Sequence, residues 1–362
     1  MLTEYFLYFE DMEKRIQELD VLRVLAMFFV ITYHFGCEYA LARLPFVNLF
    51  CVTSNYDFGN IAVTIFVALS GGLLYKRYGD IGSDLKTFYV KRAKAIYPPF
   101  WILSLYIPLS MIRHFLADGN PFFMGSPFKL LLTIIGFDGY ARLFGVDTYA
   151  FCGDWFVGAI VMLYLLYPLL AKCYRKAPIV TLVTLAILYV SQFLFPIKYD
   201  ELFSALPITL IFKFCMGFAL IENLDRLRNR RVAIAAGAIF LAITIVTIPG
   251  SRHMDYAGTI AAFALFAVVF YIAPRLLRHN AVKVPVQKLA ALSYCVFLVQ
   301  HVGIVWTQAA FIKIFAKMHW DFSAWNVMGL LVLTFVAILL VSWVLKRISD
   351  TIVKFFTFRT IL

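Results

Sequence analysis

The sequence predicts an all-α, polytopic integral membrane protein of about ten transmembrane helices, with both termini in the cytoplasm. Three observations carry this. Of 362 residues, 62% are hydrophobic and only 15% are charged, whereas a soluble domain is about half apolar and a quarter charged. The apolar residues fall in repeated runs of about twenty, the length that crosses a bilayer as a helix. A transmembrane barrel would show short alternating strands instead. The Lys and Arg residues sit in short loops between these runs, as the positive-inside bias requires. The net charge of +12 therefore reports membrane topology and argues against a nucleic-acid partner.

Residues 1–19 come first. Leu2, Phe6, Phe9 and Met12 recur at helical spacing and predict a short cytoplasmic helix on the membrane surface. Glu4, Glu10, Asp11, Glu13, Lys14 and Arg15 interrupt the stretch before any apolar core, which argues against a cleavable signal peptide. The membrane domain follows over 20–350. Its spans lie near 20–41, 57–75, 95–114, 154–173, 177–196, 203–222, 232–249, 256–274, 287–309 and 325–345.

One further apolar piece, 127–137, is too short to cross comfortably. Charge decides its place. As a span it would put Lys172, Arg175 and Lys176 outside; as a re-entrant or interfacial piece it leaves the basic loops alternating cleanly. Of the 33 Lys and Arg residues, 23 then fall in cytoplasmic segments and 8 in external ones, with Arg23 and Lys213 inside spans. The segment 115–153 becomes the longest external loop, carrying Asp118, Asp138, Arg142 and Asp147. A lid, an acceptor-binding surface and an ordinary long loop are all open for it. Residues 351–362 form a cytoplasmic tail. The localisation expected is the cell membrane, plasma or inner.

The first span holds the leading candidates. His34 lies eleven positions after Arg23, so at about 100° per position the two differ by only about 20° around the helix. They share one face, with a rise of roughly 16 Å between them. A cation at one membrane surface is thus aligned with an imidazole deeper in. Ionisable residues inside a span are costly and mark functional sites, and an interhelical hydrogen bond is the plain alternative.

Other stretches add candidates. In FYVKRAKAIYPPFW, residues 88–101, three cations (Lys91, Arg92 and Lys94) precede the third span. Pro98 and Pro99 suit the first turn of a helix. Cations beside a helix N-terminus can hold phosphate, and they also anchor spans to lipid head groups. Ser70, Gly71 and Gly72 read as close helix packing. Asp57 and Asp154 stand at the outer entrances of two spans as weaker acid candidates. Lys213 falls near the middle of span 203–222, where it needs a partner or a water-filled cavity. A structural ion pair and an active-site cation are both open for it. Tyr294, Phe297 and His301 share one face of the ninth span, with His301 at a depth comparable to His34. Two histidines and a lysine in one bundle predict a polar cavity open to the outside. The six cysteines are scattered without a CxxC pair, so neither a disulfide framework nor a metal site is expected.

These motifs together resemble the acyltransferase family 3 membrane proteins. Arg23, ten intervening residues and His34, preceded by LDVLR, resemble that family's opening motif. VALSGGLLY, KRAKAIYPPFW, DWFVGAIVMLYLLYPLL and LSYCVFLVQH resemble its later motifs in order, so the likeness covers nearly the whole chain. Two positions depart from the pattern. The family's second arginine of the basic motif is Ala95 here, and Gly153 and Asp154 stand where a histidine is often found. The resemblance implies an enzyme moving an acyl group, usually acetyl, from cytoplasmic acyl-CoA to an exported carbohydrate. It carries over Arg23 and His34 as the essential pair and Arg92 as the first arginine of the basic motif.

The residues agree with that expectation. Arg23, Arg92, Lys91 and Lys94 are expected to hold the donor's phosphates. His34 acts as general base on an acceptor hydroxyl or as a transient acyl carrier, and His301, Lys213 or Tyr294 steadies the developing oxyanion. The partners expected are acetyl-CoA or another acyl-CoA, a glycan or lipid-linked saccharide, and membrane lipids, with a homo-oligomer left open. The rival reading is a polysaccharide or small-molecule transporter or flippase using the same cavity for passage. A transporter, however, has no need of a phosphate site aligned with an imidazole. A scaffold or sensor predicts no polar cavity at all.

Overall fold

The computed structural model describes residues 16–42, 44, 53–79, 81, 84–150, 155–194, 200–248 and 255–359. The predicted surface helix before residue 16, and with it Cys51, Cys152, Gly153, Asp154 and residues 360–362, lies outside the described residues. The described residues are mainly helical, with no β-strand among them. Its helices are α1 (Glu18–Leu41), α2 (Phe58–Tyr78), α3 (Leu85–Ser104), α4 (Tyr106–Asp118), α5 (Leu130–Ile135), α6 (Asp138–Leu143) and α7 (Trp155–Lys176). There follow α8 (Pro178–Ser191), α9 (Pro207–Glu222), α10 (Leu224–Leu227), α11 (Arg230–Ile245), α12 (Tyr256–Leu276), α13 (Asn280–Met318) and α14 (Ala324–Arg359).

Nine of the ten predicted spans each overlap one of these helices, and the span at 95–114 covers the second half of α3 and most of α4. Seven are long and apolar enough to cross a membrane: α1, α2, α3 running on into α4, α7, α12, α13 and α14. Helices α8, α9 and α11 have 14, 16 and 16 residues. At 1.5 Å per residue they reach only about 21–24 Å, short of a hydrocarbon core of about 30 Å. Large apolar side chains are nonetheless exposed along the outer faces of long and short helices alike, among them Leu109, Ile179, Ile187, Ile234, Leu333 and Trp343. The protein is therefore a multi-pass membrane protein whose lipid-facing surface is apolar.

Helix α2 is the packing centre, and small residues let α9 approach it. A Cβ added to Gly71 would collide with the carbonyl of Phe214, and one on Gly217 with the carbonyl of Ala68. Gly72 likewise faces Gly217. Backbones this close leave room for nothing larger, so the stretch after Ser70 is packing, as its composition predicted. Asp57 caps α2, accepting a hydrogen bond from the Asn60 N–H at 2.7 Å.

The basic motif is arranged differently from expectation. The helix opens at Leu85, so Pro98 and Pro99 lie inside α3 rather than in a first turn. Lys91, Arg92 and Lys94 stand mid-helix, where the N–H groups are already spent on the backbone ladder. Any anion they hold is held by charge and side-chain donors alone.

The piece at 127–137 forms no helix long enough to cross a membrane. It folds as a 3₁₀ turn and the six-residue α5, ended by Gly136 at φ 79°. Two side chains of α3 satisfy its last carbonyls: Trp101 donates to Ile134 O and Tyr97 to Ile135 O, each at 3.0 Å. Tyr140 of α6 then donates to Ala205 O at 2.8 Å. The described part of the long loop, residues 115–150, is thus built onto the bundle through these contacts.

Candidate functional site

A cavity of about 680 Å³ opens among α1, α2, α3, α7 and α13. Its rim is cationic, formed by Arg23, Lys76, Arg77 and Arg92. Arg23 is held by Asp20, one turn back, at 2.8 Å, and that carboxylate is fully buried. Tyr78 gathers two of the other cations. Its ring lies under the guanidinium groups of Arg77 and Arg92 at 5.7 and 5.6 Å, and its hydroxyl accepts from Arg92 Nη2 at 3.3 Å. Arg92 Nε is buried and has no hydrogen-bond partner among the described residues. Such a donor is costly unless something else accepts from it.

Deeper in, the lining turns apolar with two polar points. Ser70 Oγ and the Tyr164 hydroxyl lie 2.9 Å apart, and the Tyr294 hydroxyl donates to Ile96 O at 3.0 Å. The cavity ends at Phe66, Phe156 and Phe297.

His34 and His301 stand past that end. Their rings meet edge to face with centroids 5.4 Å apart. Glu38, one turn beyond His34 on α1, brings Oε1 within 3.1 Å of His301 Nε2. Tyr33 stands beside them, its ring 5.2 Å from that of His34. The result is a carboxylate–imidazole–imidazole row spanning two helices, and its groups are half-buried. A carboxylate on one imidazole fixes that ring's orientation and its tautomer.

The predicted residues therefore separate into groups. Arg23, Arg92 and Tyr294 line the cavity, and His34 and His301 form the pair beyond it. Lys91 and Lys94 are exposed and do not line the cavity; Lys94 borders a separate groove with Trp101 and Ile352. Lys213 is fully buried and bonds Asp255 at 2.7 Å. That carboxylate also accepts from Asn60 at 2.8 Å, Tyr189 at 2.9 Å and Thr259 at 2.7 Å. Of the two readings open for Lys213, the geometry shows the ion pair.

Sequence reasoning missed Glu38, Lys76, Arg77, Phe66, Phe156 and Tyr164. Glu38 had a legible signal, being a carboxylate four residues from His34 near the end of the same span. Phe156 and Tyr164 lay inside the DWFVGAIVMLYLLYPLL motif with nothing to single them out, and the rest had no signal beyond ordinary loop charge and apolar pattern.

Fold and site together define a multi-pass membrane protein with a cation-rimmed cavity leading toward paired histidines. The chain belongs to acyltransferase family 3: a family model described as an acyltransferase domain matches residues 16–347, nearly its whole length. It is accordingly a membrane acyltransferase, acting on an acyl donor and an acceptor, and the transporter and scaffold alternatives fall away. Comparison with curated proteins and with solved structures returned no match.

Proposed function

We propose that this enzyme moves an acyl group, acetyl by preference, from cytoplasmic acyl-CoA to a hydroxyl of an exported or lipid-linked saccharide in the cell membrane. The observation that carries this reading is the cavity rim, where α1, α2 and α3 converge four cations on one opening. Coenzyme A presents several phosphate charges at one end and a slender arm at the other. Arg23 and Arg92 suit the phosphates, with Lys76 and Arg77 beside them and Lys91 and Lys94 adding long-range attraction. The unpartnered Arg92 Nε is the donor that such a ligand would satisfy. The arm fits the apolar depth beyond.

His34 serves as general base. It takes the proton of the acceptor hydroxyl as that oxygen attacks the thioester carbonyl carbon, the carbon–sulfur bond breaks, and the leaving thiolate takes that proton from the His34 imidazolium. His301, held by Glu38, orients His34 and faces the developing negative charge. Tyr294 lines the arm's path.

The topology proposed has ten spans, with both termini and the rim cations facing the cytoplasm. Two features support it: the positive-inside count, and the exposed apolar faces of α8 and α11. The short spans then need local bilayer thinning.

The test uses purified protein, labelled acetyl-CoA and an envelope glycan preparation. His34→Ala should abolish transfer, and Arg23→Ala and Arg92→Ala should weaken coenzyme A binding by calorimetry roughly tenfold or more. Transfer by His34→Ala at the wild-type rate would overturn the mechanism, and unchanged affinity in both arginine variants would overturn the donor site. Mass spectrometry of enzyme held with acetyl-CoA alone separates base from carrier: a base leaves His34 unmodified.

A further inference from the structure

We propose that Phe66, Phe156 and Phe297 form a constriction that sets the length of the acyl group this enzyme transfers. The inference rests on reading the cavity as the donor site.

The lining of three helices stops at these residues. On α2 it begins at Arg77 and ends at Phe66; on α7 it begins at Tyr164 and ends at Phe156; on α13 it begins at Ser293 and ends at Phe297. These end points are not scattered around the wall, because they meet. Phe156 and Phe297 lie 4.5 Å apart between centroids, with Phe66 at 6.3 Å from the first and 6.4 Å from the second. Phe156 and Phe297 are each 6% exposed, so the rings close the cavity where they touch.

The reacting groups lie on the other side. His301 is four residues past Phe297 on α13, about 6 Å further along the axis, and its ring contacts His34. An acyl group entering from the cationic rim must therefore pass between the rings to reach His34. Ring edges are apolar and offer a carboxylated or hydroxylated chain no hydrogen bond, so the constriction also disfavours charged acyl groups. A two-carbon group passes with small rotations of the half-buried Phe66. A long chain holds the rings apart over many methylenes and breaks their mutual packing.

The experiment compares transfer from acetyl-, butyryl- and hexanoyl-CoA to an envelope glycan preparation, using the full-length enzyme in detergent. Wild type is expected to favour acetyl over hexanoyl at least tenfold, and Phe297→Ala to reduce that preference at least tenfold. Phe66→Ala, at the less buried ring, is the second variant should Phe297→Ala fail to fold, and it should act in the same direction. Equal wild-type rates with acetyl and hexanoyl donors, or an unaltered preference in the folded variants, would overturn the constriction. Coenzyme A affinity measured alongside keeps the two ideas apart. If wild type binds coenzyme A and the preference does not move, only the constriction fails; if it does not bind, the donor reading fails and takes this inference with it.

Discussion

Glu38 and His301 meet across α1 and α13 at 3.1 Å, and the ring of His301 lies edge-on to His34 at 5.4 Å. Neither helix alone makes a site. Together they place a carboxylate behind one imidazole and a second imidazole in front. That order gives His34 a fixed neighbour beyond the far end of the cavity.

The first prediction concerns that contact. Glu38→Gln keeps the shape and removes the charge, so it should lower kcat about tenfold while leaving the KM for acyl-CoA unchanged. Glu38→Asp should restore part of the rate. A proportional fall in KM and kcat, or no fall at all, would remove Glu38 as a positioning residue for His301.

Lys213 supplies the second. Lys213→Ala strands the buried Asp255 carboxylate, and losing one partner of a buried pair costs about 3–5 kcal/mol. Thermal unfolding should show a large loss, and Lys213→Met combined with Asp255→Asn should recover most of it. If the folded double variant transfers acyl groups at the wild-type rate, the pair is structural; a dead but stable variant would return Lys213 to the chemistry.

The third concerns close packing. Gly217→Val has no room against the Ala68 carbonyl, and overpacking of this kind costs about 1–3 kcal/mol or more. Yield and melting point should fall sharply. Gly329→Ala, where an added Cβ meets nothing within 4 Å outside its own stretch of helix, is the control and should lower neither.

Asp138 gives a pH-dependent prediction. Burial pushes its carboxyl above the ordinary range, partly offset by the Gly139 N–H. A raised folded-state value means the charged form is what folding disfavours. Asp138→Asn should therefore stabilise the protein at neutral pH, and the gain should fade as pH falls through the raised value toward about 3.9, where the acid is neutral in both states. Melting points measured across pH 4–8 decide it. A gain that persists undiminished at the acidic end would point to packing instead.

Much of this molecule was determined by the sequence alone. Long apolar runs with cations at alternate ends force membrane-spanning helices, because a bilayer leaves no other way to pair the backbone. Helical periodicity put Arg23 and His34 on one face and set His301 at His34's depth. Tertiary structure decided which residues meet. It set Arg92 and Arg23 on one cavity rim while leaving Lys91 and Lys94 off it, matched Lys213 with Asp255, set Glu38 behind His301, and closed the cavity with rings from three helices. The reason is physical. Periodicity fixes a side chain's direction around its own axis, but the neighbour it meets depends on how helices cross. Here that crossing is set by glycines on α2 and α9, more than 140 residues apart in sequence.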